Sequence, residues 1–443
     1  MIARLNSTDR NFTSQLQERL FLPEEDREEV LATVRMIVEN VRTRGDDAVL
    51  ELTRQFDGLT AGSVNDLEIS RERQRQGFES IDQSVREALE TAADRIRSYH
   101  LKQKQVFGNG RDWDFIDAAG NRLGQLVRGM ERVGIYTPGG KAAYPSTLLM
   151  SAIPARVADV GEIILTVPTP DGEVNDALLA ASYLCGIDRV FTVGGAQAIA
   201  ALAYGTECIP RVDKIVGPGN IYVATAKEMV FGDVGIEMIA GPSEVVIVAD
   251  SSANPEWLTL DMFAQAEHDE MAQAILISPD DEILNQVSRL LSHRLAAMPR
   301  QAIIRQSLER RGALLKVRNL DEAMEIVNNI APEHLELAIQ APDEALGLVR
   351  HSGAIFIGNH SGEAVGDYIA GPSHVLPTGG NSRFASPLGV YDFQVRSSII
   401  QCSVEGADAL GKDAAIIARQ EGLHAHAESA ECRMEAGFKT TPD

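Results

Sequence analysis

The segment from Ala331 to Glu336 (APEHLE) contains two neighbouring side chains that are well suited to moving protons. Glu333 and His334 form a carboxylate–imidazole pair of the kind that acts in general acid–base catalysis. Two asparagines precede the segment and Pro332 suits a first helical position, so we expect a helix to begin here. Its dipole would favour Glu333 as an anion and keep His334 neutral. Taken alone, the segment fits an ordinary capped helix equally well.

A second Glu-His pair lies in the segment Gln265-Ala266-Glu267-His268. It falls within residues 258–272, a stretch without Pro or Gly that we expect to be helical. Gln265 and His268 are three residues apart, so on one helix they would share a face and could bind one ion. An exposed polar helix face is the alternative.

The distribution of histidine favours a metal site. Six of the nine histidines follow residue 330; among them, His374 lies with Asp367 in a Gly- and Pro-rich loop, and His424 and His426 lie two apart near a predicted helix end. Carboxylate, imidazole and amide ligands suit zinc or manganese better than copper or an iron–sulfur cluster. Without thiolates, such a site would be exchangeable and of the catalytic type.

Four glycine-containing turns adjoin predicted strands, as ligand-contacting turns of α/β sheets do. They are TPGGK at 137–141, GGAQ at 194–197, GPGN at 217–220 and GPS at 241–243. None completes the dinucleotide fingerprint, because Tyr222 occupies the place of the third glycine after Gly217 and Gly219, and no Walker phosphate loop occurs. A nucleotide ligand and ordinary tight turns both remain open.

The elements that must position these residues point to two α/β domains. Residues 24–105 are predicted to form several helices, the first beginning near Pro23. Short apolar runs then alternate with helical stretches such as Asp176 to Cys185, which predicts parallel βαβ units. We expect two such α/β domains to face each other across a cleft. Strands are expected at 133–136, 163–168, 190–195, 245–249, 274–278 and 354–358. The predicted divisions are an N-terminal arm at 1–25, a first α/β domain at 26–133 plus 241–390, a second at 134–240, and a C-terminal tail domain at 391–443 with a helix at 408–421 and no long strand series.

Composition narrows the class of partner. The 443 residues include 64 acidic and 41 basic ones, and the net charge of −23 argues against nucleic acid and anionic membranes, which leaves small ligands. Four cysteines without CxxC spacing argue against a thiolate zinc site or a disulfide scaffold. The N-terminus has no apolar leader and no run reaches the length of a membrane span, so we expect a cytoplasmic protein.

Eight ordered strings resemble the histidinol dehydrogenase family, and the likeness runs over nearly the whole chain. The strings are GIYTPGG at 134–140, GGAQAIA at 194–200, GPGN at 217–220, AGPSE at 240–244, QAEH at 265–268, APEHLE at 331–336, HVLPT at 374–378 and EGL at 421–423.

The resemblance implies oxidation of L-histidinol to L-histidine with two NAD, through a bound aldehyde, as the last step of histidine biosynthesis. It also implies two Rossmann-like parallel-sheet domains and one zinc ion per subunit, which would orient the substrate. By matching positions, the zinc ligands would be Gln265, His268, Asp367 and His426. These ligands and His334, Ser243, His374 and Glu421 would contact the substrate, and Tyr136, Gln197 and Asn220 would line the cofactor site.

The resemblance gives the opening pair distinct roles. His334 would accept the hydroxyl proton as hydride leaves, and Glu333 would activate water for the aldehyde step. Family members are intertwined homodimers whose tail reaches the partner's active site, so Glu421 and His426 would serve the other subunit. His424 leaves some ambiguity in the last ligand, and the Glu-Gly-Leu-x-Ala-His spacing favours His426.

Three other functions are compatible with parts of this pattern. A related zinc- and NAD-dependent dehydrogenase could act on another small polar alcohol, with the specificity set near Ser243, His374 and Glu421. A zinc-dependent hydrolase could use the same ligands and Glu333 to activate water, but it would leave the glycine turns without a ligand. A metabolite-binding protein without catalytic activity is the third alternative.

Overall fold

The computed structural model describes residues 2–20, 27–139, 144–172 and 174–434. The chain divides into two compact units, the first formed by Met1–Gln103 and Glu131–Phe393, the second by Lys104–Met130 and Gln394–Asp443. The helix start expected near Pro23 lies outside the described residues. Within the described ranges, no helix combines the length and the apolar content needed to cross a membrane.

The strands of the described residues are β1 Ala3–Asn6, β2 Glu68–Ile69, β3 Trp113–Ile116, β4 Arg122–Gly129, β5 Arg132–Tyr136, β6 Glu162–Thr166, β7 Arg189–Phe191, β8 Lys214–Val216, β9 Gly235–Ile236, β10 Glu244–Ala249, β11 Gln273–Ser278, β12 Ala313–Lys316, β13 His334–Ala338, β14 Ala354–Ile357 and β15 Gln394–Gln401. The helices are α1 Phe12–Leu20, α2 Arg27–Arg44, α3 Asp46–Asp57, α4 Arg71–Ser80, α5 Gln83–Val106, α6 Pro145–Val157, α7 Asp176–Cys185, α8 Gly195–Tyr204, α9 Ile221–Val230, α10 Pro255–Ala266, α11 Asp281–Arg294, α12 Gln301–Arg310, α13 Leu320–Ile330, α14 Pro342–Leu346, α15 Glu363–Tyr368, α16 Val404–Gln420 and α17 His424–Glu431.

The first sheet has the strand order β1-β12-β11-β10-β13-β14, and every neighbouring pair is parallel. Its central strands β10, β11 and β13 are buried along their whole length. Helices cover both faces of a sheet of this kind, which explains why these strands read as continuous apolar runs rather than as alternating ones. The predicted parallel α/β architecture is confirmed.

The second sheet has the order β2-β7-β6-β5-β8-β9, parallel except for the edge pair β2 and β7. Helices α2 and α3 pack on it, since Val34, Val41 and Val49 share a core with Ile164 and Phe191. This packing differs from the sequence expectation, which grouped residues 26–133 with 241–390. Helices so far from β5 in sequence carry no local signal of which sheet they will cover.

The second unit contains an antiparallel sheet of order β15-β4-β3 together with α16 and α17. Strand β15 pairs with β4 over eight residues, so the tail contains a long strand that the sequence interpretation did not include. The helix expected at 408–421 corresponds to α16, which begins earlier, because Ser403 caps it at Val404, and ends at Gln420.

Candidate functional site

The segment APEHLE starts a strand, so the expected helix start at Pro332 is wrong. Helix α13 ends before Ala331, whose φ of +55° is left-handed, and β13 begins at His334. Pro332 cannot continue a helix, and the buried residues that follow pair with β10 and β14. A short apolar run fits a buried strand as well as a helix, which is why periodicity misassigned it.

The backbone of Glu244, at the start of β10, holds both members of the Glu-His pair. Its N–H donates to Glu333 Oε2 at 2.8 Å, and its carbonyl oxygen lies 3.0 Å from His334 Nδ1. The imidazole therefore donates from Nδ1 and presents Nε2 as its acceptor. Nε2 is buried and has no hydrogen-bond partner among the described residues. Both side chains are buried, and Nε2, 3.6 Å from Asp367 Oδ1, is the ring nitrogen that can accept a proton when the imidazole is neutral.

Burial and neighbouring charges perturb the pKa of both groups. Burial raises the pKa of Glu333 to about 8; His334 and the hydrogen bond from the Glu244 N–H oppose the shift, and the carboxyl groups of Glu244 and Asp367 add to it. Burial alone would lower the pKa of His334, but the carboxylates of Glu363, Glu333 and Asp367 outweigh it and raise that pKa well above its usual value. Their oxygens lie 3.9, 3.6 and 3.6 Å from the ring nitrogens. The expected neutral His334 at a helix start is replaced by an imidazole that is prone to carry charge.

Glu363 is a buried site residue that the sequence interpretation missed. Its carboxylate faces the amide of Gln265, whose nitrogen, when turned towards it, donates to the two oxygens at 2.8 and 3.0 Å. Its backbone N–H donates to Glu336 Oε1 at 2.8 Å. Burial raises the pKa of Glu336 to about 8. Glu363 and Asp367 are four residues apart on α15, a spacing that could have signalled a shared carboxylate face.

A group of side chains that could hold a metal ion includes the His334 imidazole. The ligand atoms of His334, Glu363 and Asp367 all lie within 4.8 Å of one another, so of the expected zinc ligands Asp367 belongs to this group. Gln265 adjoins the group through its bond to Glu363 and is fully buried. Amide, carboxylate and imidazole groups are suitable zinc ligands, so the residues present fit such an ion.

His268 reaches the same region in a different way from the one expected. Helix α10 ends at Ala266, so His268 lies in the following turn and does not share a helical face with Gln265. Its Nδ1 lies 3.3 Å from the Gln265 carbonyl oxygen. Burial alone would raise the pKa of Asp367, but His334, His374 and His268 outweigh burial and lower this pKa. The His268 imidazole therefore lies near enough to act on the Asp367 carboxylate.

His374 links elements of the two sheets within the first unit. Its Nδ1 donates to the Asp367 carbonyl oxygen at 2.8 Å, and its Nε2 lies 3.2 Å from the hydroxyl of Thr147 on α6. Ser373 Oγ donates to the carbonyl oxygen of Met150 on the same helix. Ser243 is half-buried directly before β10, next to Glu244, whose backbone bonds to Glu333 and His334.

The expected cofactor residues lie at the carboxyl ends of strands of the second sheet. Tyr136 ends β5 and accepts a hydrogen bond from the Gly195 N–H at 3.3 Å. Asn220 follows β8 and caps α9, and Gln197 lies in the first turn of α8. Gln197 Nε2, Thr137 Oγ1 and Thr169 Oγ1 are buried there and lack hydrogen-bond partners within the described ranges. Such orphaned polar atoms at this edge fit a dinucleotide, which needs several hydrogen bonds.

Glu421 and His426 belong to the second unit. Glu421 follows α16 and His426 lies in the first turn of α17, and both are exposed. Their predicted roles at the metal and substrate stay predictions.

Comparison with known proteins gives a consistent family assignment. The family described as histidinol dehydrogenase matches residues 22–434. Histidinol dehydrogenase from Nitrosomonas europaea is 53% identical over 98% of this chain and 99% of its own length. The same-named protein from Pseudomonas aeruginosa is 55% identical over 98% of this chain and 97% of its own. The crystal structure of histidinol dehydrogenase from Elizabethkingia anophelis superposes with a TM-score of 0.90 at 32% identity, covering 98% of each chain. This chain therefore belongs to the histidinol dehydrogenase family.

Proposed function

We propose that this protein oxidises L-histidinol to L-histidine in two NAD-dependent hydride transfers, as the last step of histidine biosynthesis. The observation that carries the proposal is the buried Glu333–His334 pair, both fixed by the Glu244 backbone, with His334 Nε2 left as a free acceptor. Full-length similarity to proteins named histidinol dehydrogenase supports the same substrate. A hydrolase would leave the orphaned polar atoms at the carboxyl edge of the second sheet without a role.

His334 is the base of the alcohol step in this proposal. The bond from Nδ1 to the Glu244 carbonyl fixes the ring and its tautomer, so Nε2 accepts the hydroxyl proton as hydride leaves the carbinol carbon. The Asp367 carboxylate, whose pKa is lowered and whose Oδ1 lies 3.6 Å from Nε2, stabilises the imidazolium that results.

Glu333 is the base of the aldehyde step. Burial raises its pKa to about 8 even though the neighbouring His334 lowers it, so the ionised base is most abundant on the alkaline side of neutrality. The carboxylate then takes a proton from water as it adds to the aldehyde carbon, and the hydrate yields its hydride in the second transfer.

Gln265, His268, Asp367 and His426 would hold one zinc ion per subunit, and the ion would supply an anchor for the substrate's imidazole and amine. Glu363 supports this assignment, because accepting from the Gln265 nitrogen turns the amide oxygen away towards a cation. Because Nδ1 of His334 bonds to the Glu244 carbonyl, only Nε2 is free, and it cannot bind zinc and accept a proton at once. We therefore assign His334 as the base and not as a ligand.

We further propose an intertwined, cytoplasmic homodimer in which Glu421 and His426 complete the partner's site. Co-expression of His334→Asn and His426→Ala chains tests the exchange. Mixed dimers would contain one intact site and regain activity, whereas each variant alone would be inactive. If the mixture stays inactive although both chains fold, the tail serves its own subunit.

Product stoichiometry tests the overall function. Purified protein supplied with zinc, NAD and L-histidinol should form two NADH for each histidine, because an alcohol-to-acid conversion releases two hydrides. A panel of other small polar alcohols should turn over much more slowly. Absence of NADH formation from histidinol, in a protein that binds zinc and is folded, would refute the proposal.

A further inference from the structure

A buried ion pair lies in the second sheet, outside the catalytic group. Lys227 Nζ and Glu237 Oε1 are 2.6 Å apart, and their side chains are 3% and 1% exposed. Lys227 belongs to α9, the helix after the turn that follows β8. Glu237 follows β9, the strand that pairs with β8, so the ion pair connects these two elements. Burying two charges carries a desolvation cost that their attraction does not reliably recover, so stability alone is a weak explanation for such a pair.

Both charged groups also bond to the backbone of one residue, Gly217. Lys227 Nζ donates to the Gly217 carbonyl oxygen at 3.0 Å, and the Gly217 N–H donates to Glu237 Oε1 at 2.8 Å. Gly217 has a φ of +115°, and a Cβ built on it would lie 2.0 Å from the Tyr136 carbonyl oxygen. The ion pair therefore holds this turn next to the end of β5, where the positive φ and the close Tyr136 carbonyl both require glycine.

The turn fixed in this way carries one of the residues expected to bind the cofactor and contacts another. Gly217 leads through Pro218 and Gly219 to Asn220, which caps α9 by accepting from the Tyr222 and Val223 N–H groups, each at 3.1 Å. On its other side, Gly217 contacts the backbone of Tyr136. A shift of Gly217 would displace Asn220 directly and Tyr136 by contact.

We propose that Lys227 and Glu237 are positioning residues for NAD binding, a role that rests on the proposed dehydrogenase function. They touch neither the substrate nor the reacting atoms. Their effect is to hold the Gly217–Asn220 turn in the cofactor-binding conformation before NAD arrives, which lowers the ordering cost of binding.

The test compares NAD affinity with the other binding events of the same protein. Calorimetry of zinc-loaded Lys227→Met should show NAD binding weakened by about tenfold or more, while histidinol affinity and zinc content stay within about twofold. Lys227→Arg, which keeps the charge, should recover part of the loss. The matched control is Glu68→Gln, which breaks the 2.6 Å Arg189–Glu68 pair at the edge of the same sheet and should leave NAD affinity unchanged.

A folded Lys227→Met protein with wild-type NAD affinity would overturn the positioning role alone. A wild-type protein that binds no NAD would overturn both the positioning role and the dehydrogenase proposal. If the single variant fails to fold, the double variant Lys227→Met, Glu237→Met removes both charges, and the same NAD affinities decide. Hydrogen exchange on the wild type gives an independent result. The Gly217 amide should be protected before NAD is added, and exchange as fast as in exposed loops would contradict the proposal.

Discussion

Exchanging each member of the catalytic pair for its neutral near-isostere should separate the two oxidation steps. Glu333→Gln can keep the bond from the Glu244 N–H through its amide oxygen, and His334→Asn can keep the bond to the Glu244 carbonyl through its amide nitrogen. The site should therefore survive both changes. What is lost is the basic atom: one carboxylate oxygen in the first variant and Nε2 in the second.

The expected magnitude follows from the loss of one general base. Such a base contributes about 10²- to 10⁴-fold to the rate, which corresponds to about 2.7–5.4 kcal/mol in the barrier. Because water addition to the aldehyde needs Glu333, Glu333→Gln should lose this factor for histidinaldehyde oxidation and far less for the first hydride transfer from histidinol. His334→Asn should lose it in both transfers, since each leaves from a carbon that bears a hydroxyl.

Pre-steady-state NADH formation measures the two steps separately. With histidinol, Glu333→Gln should show a first NADH at a near wild-type rate and a slow second one, whereas His334→Asn should slow both. Zinc content and melting temperature serve as controls for folding. Equal losses of Glu333→Gln on alcohol and aldehyde would refute the division of labour, even if both variants were strongly impaired.

Three further predictions follow from the buried polar groups. Glu363→Ala should weaken zinc binding by about 10- to 100-fold, because the Gln265 amide loses the acceptor that orients it. Chelator competition measures this, and unchanged affinity contradicts the orienting role. Stripping zinc with a chelator should abolish histidinol binding and leave NAD binding nearly intact by calorimetry, and histidinol binding to the metal-free protein would speak against a metal anchor. Burial raises the pKa of Asp261 to about 6, so its contribution to stability is complete below its unfolded pKa near 4 and is lost as the pH rises through 6. Asp261→Asn should therefore be more stable than the wild type in urea unfolding at pH 7, by up to about 1.4 kcal/mol per unit of pKa displacement. The variant should show no gain at pH 4.

The parallel sheets were predictable because their signal is local. Strands such as β10 and β11 are short apolar runs between glycines, prolines and helices, and their burial on both faces removes any alternation. The same feature caused the error at His334. An unbroken apolar run shows neither the helical nor the strand periodicity, so Pro332 and the preceding asparagines predicted a helix start. In the structure the asparagines lie at the end of α13 and Pro332 leads into β13.

The partners of the catalytic pair could not be predicted, because they are set by strand register. Glu244 lies about ninety positions before His334 and reaches it only because β10 and β13 are neighbours, with Val245 beside His334. Glu363 likewise reaches Gln265 only once α10 and α15 have packed. Residue type and spacing identify candidate bases and ligands, but not which backbone group orients them.

This dependence on register changes how the pair is understood as a base system. On a helix start, the dipole would have kept His334 neutral and Glu333 charged. At the amino end of β13, in contrast, burial favours a protonated Glu333, and the carboxylates around it favour a charged His334. The two groups titrate as a coupled pair, because a charge on His334 lowers the pKa of Glu333 and an ionised Glu333 raises the pKa of His334. A strand start brings His334 Nδ1 to 3.6 Å from Glu333 Oε2, close enough for this coupling to outweigh any helix dipole.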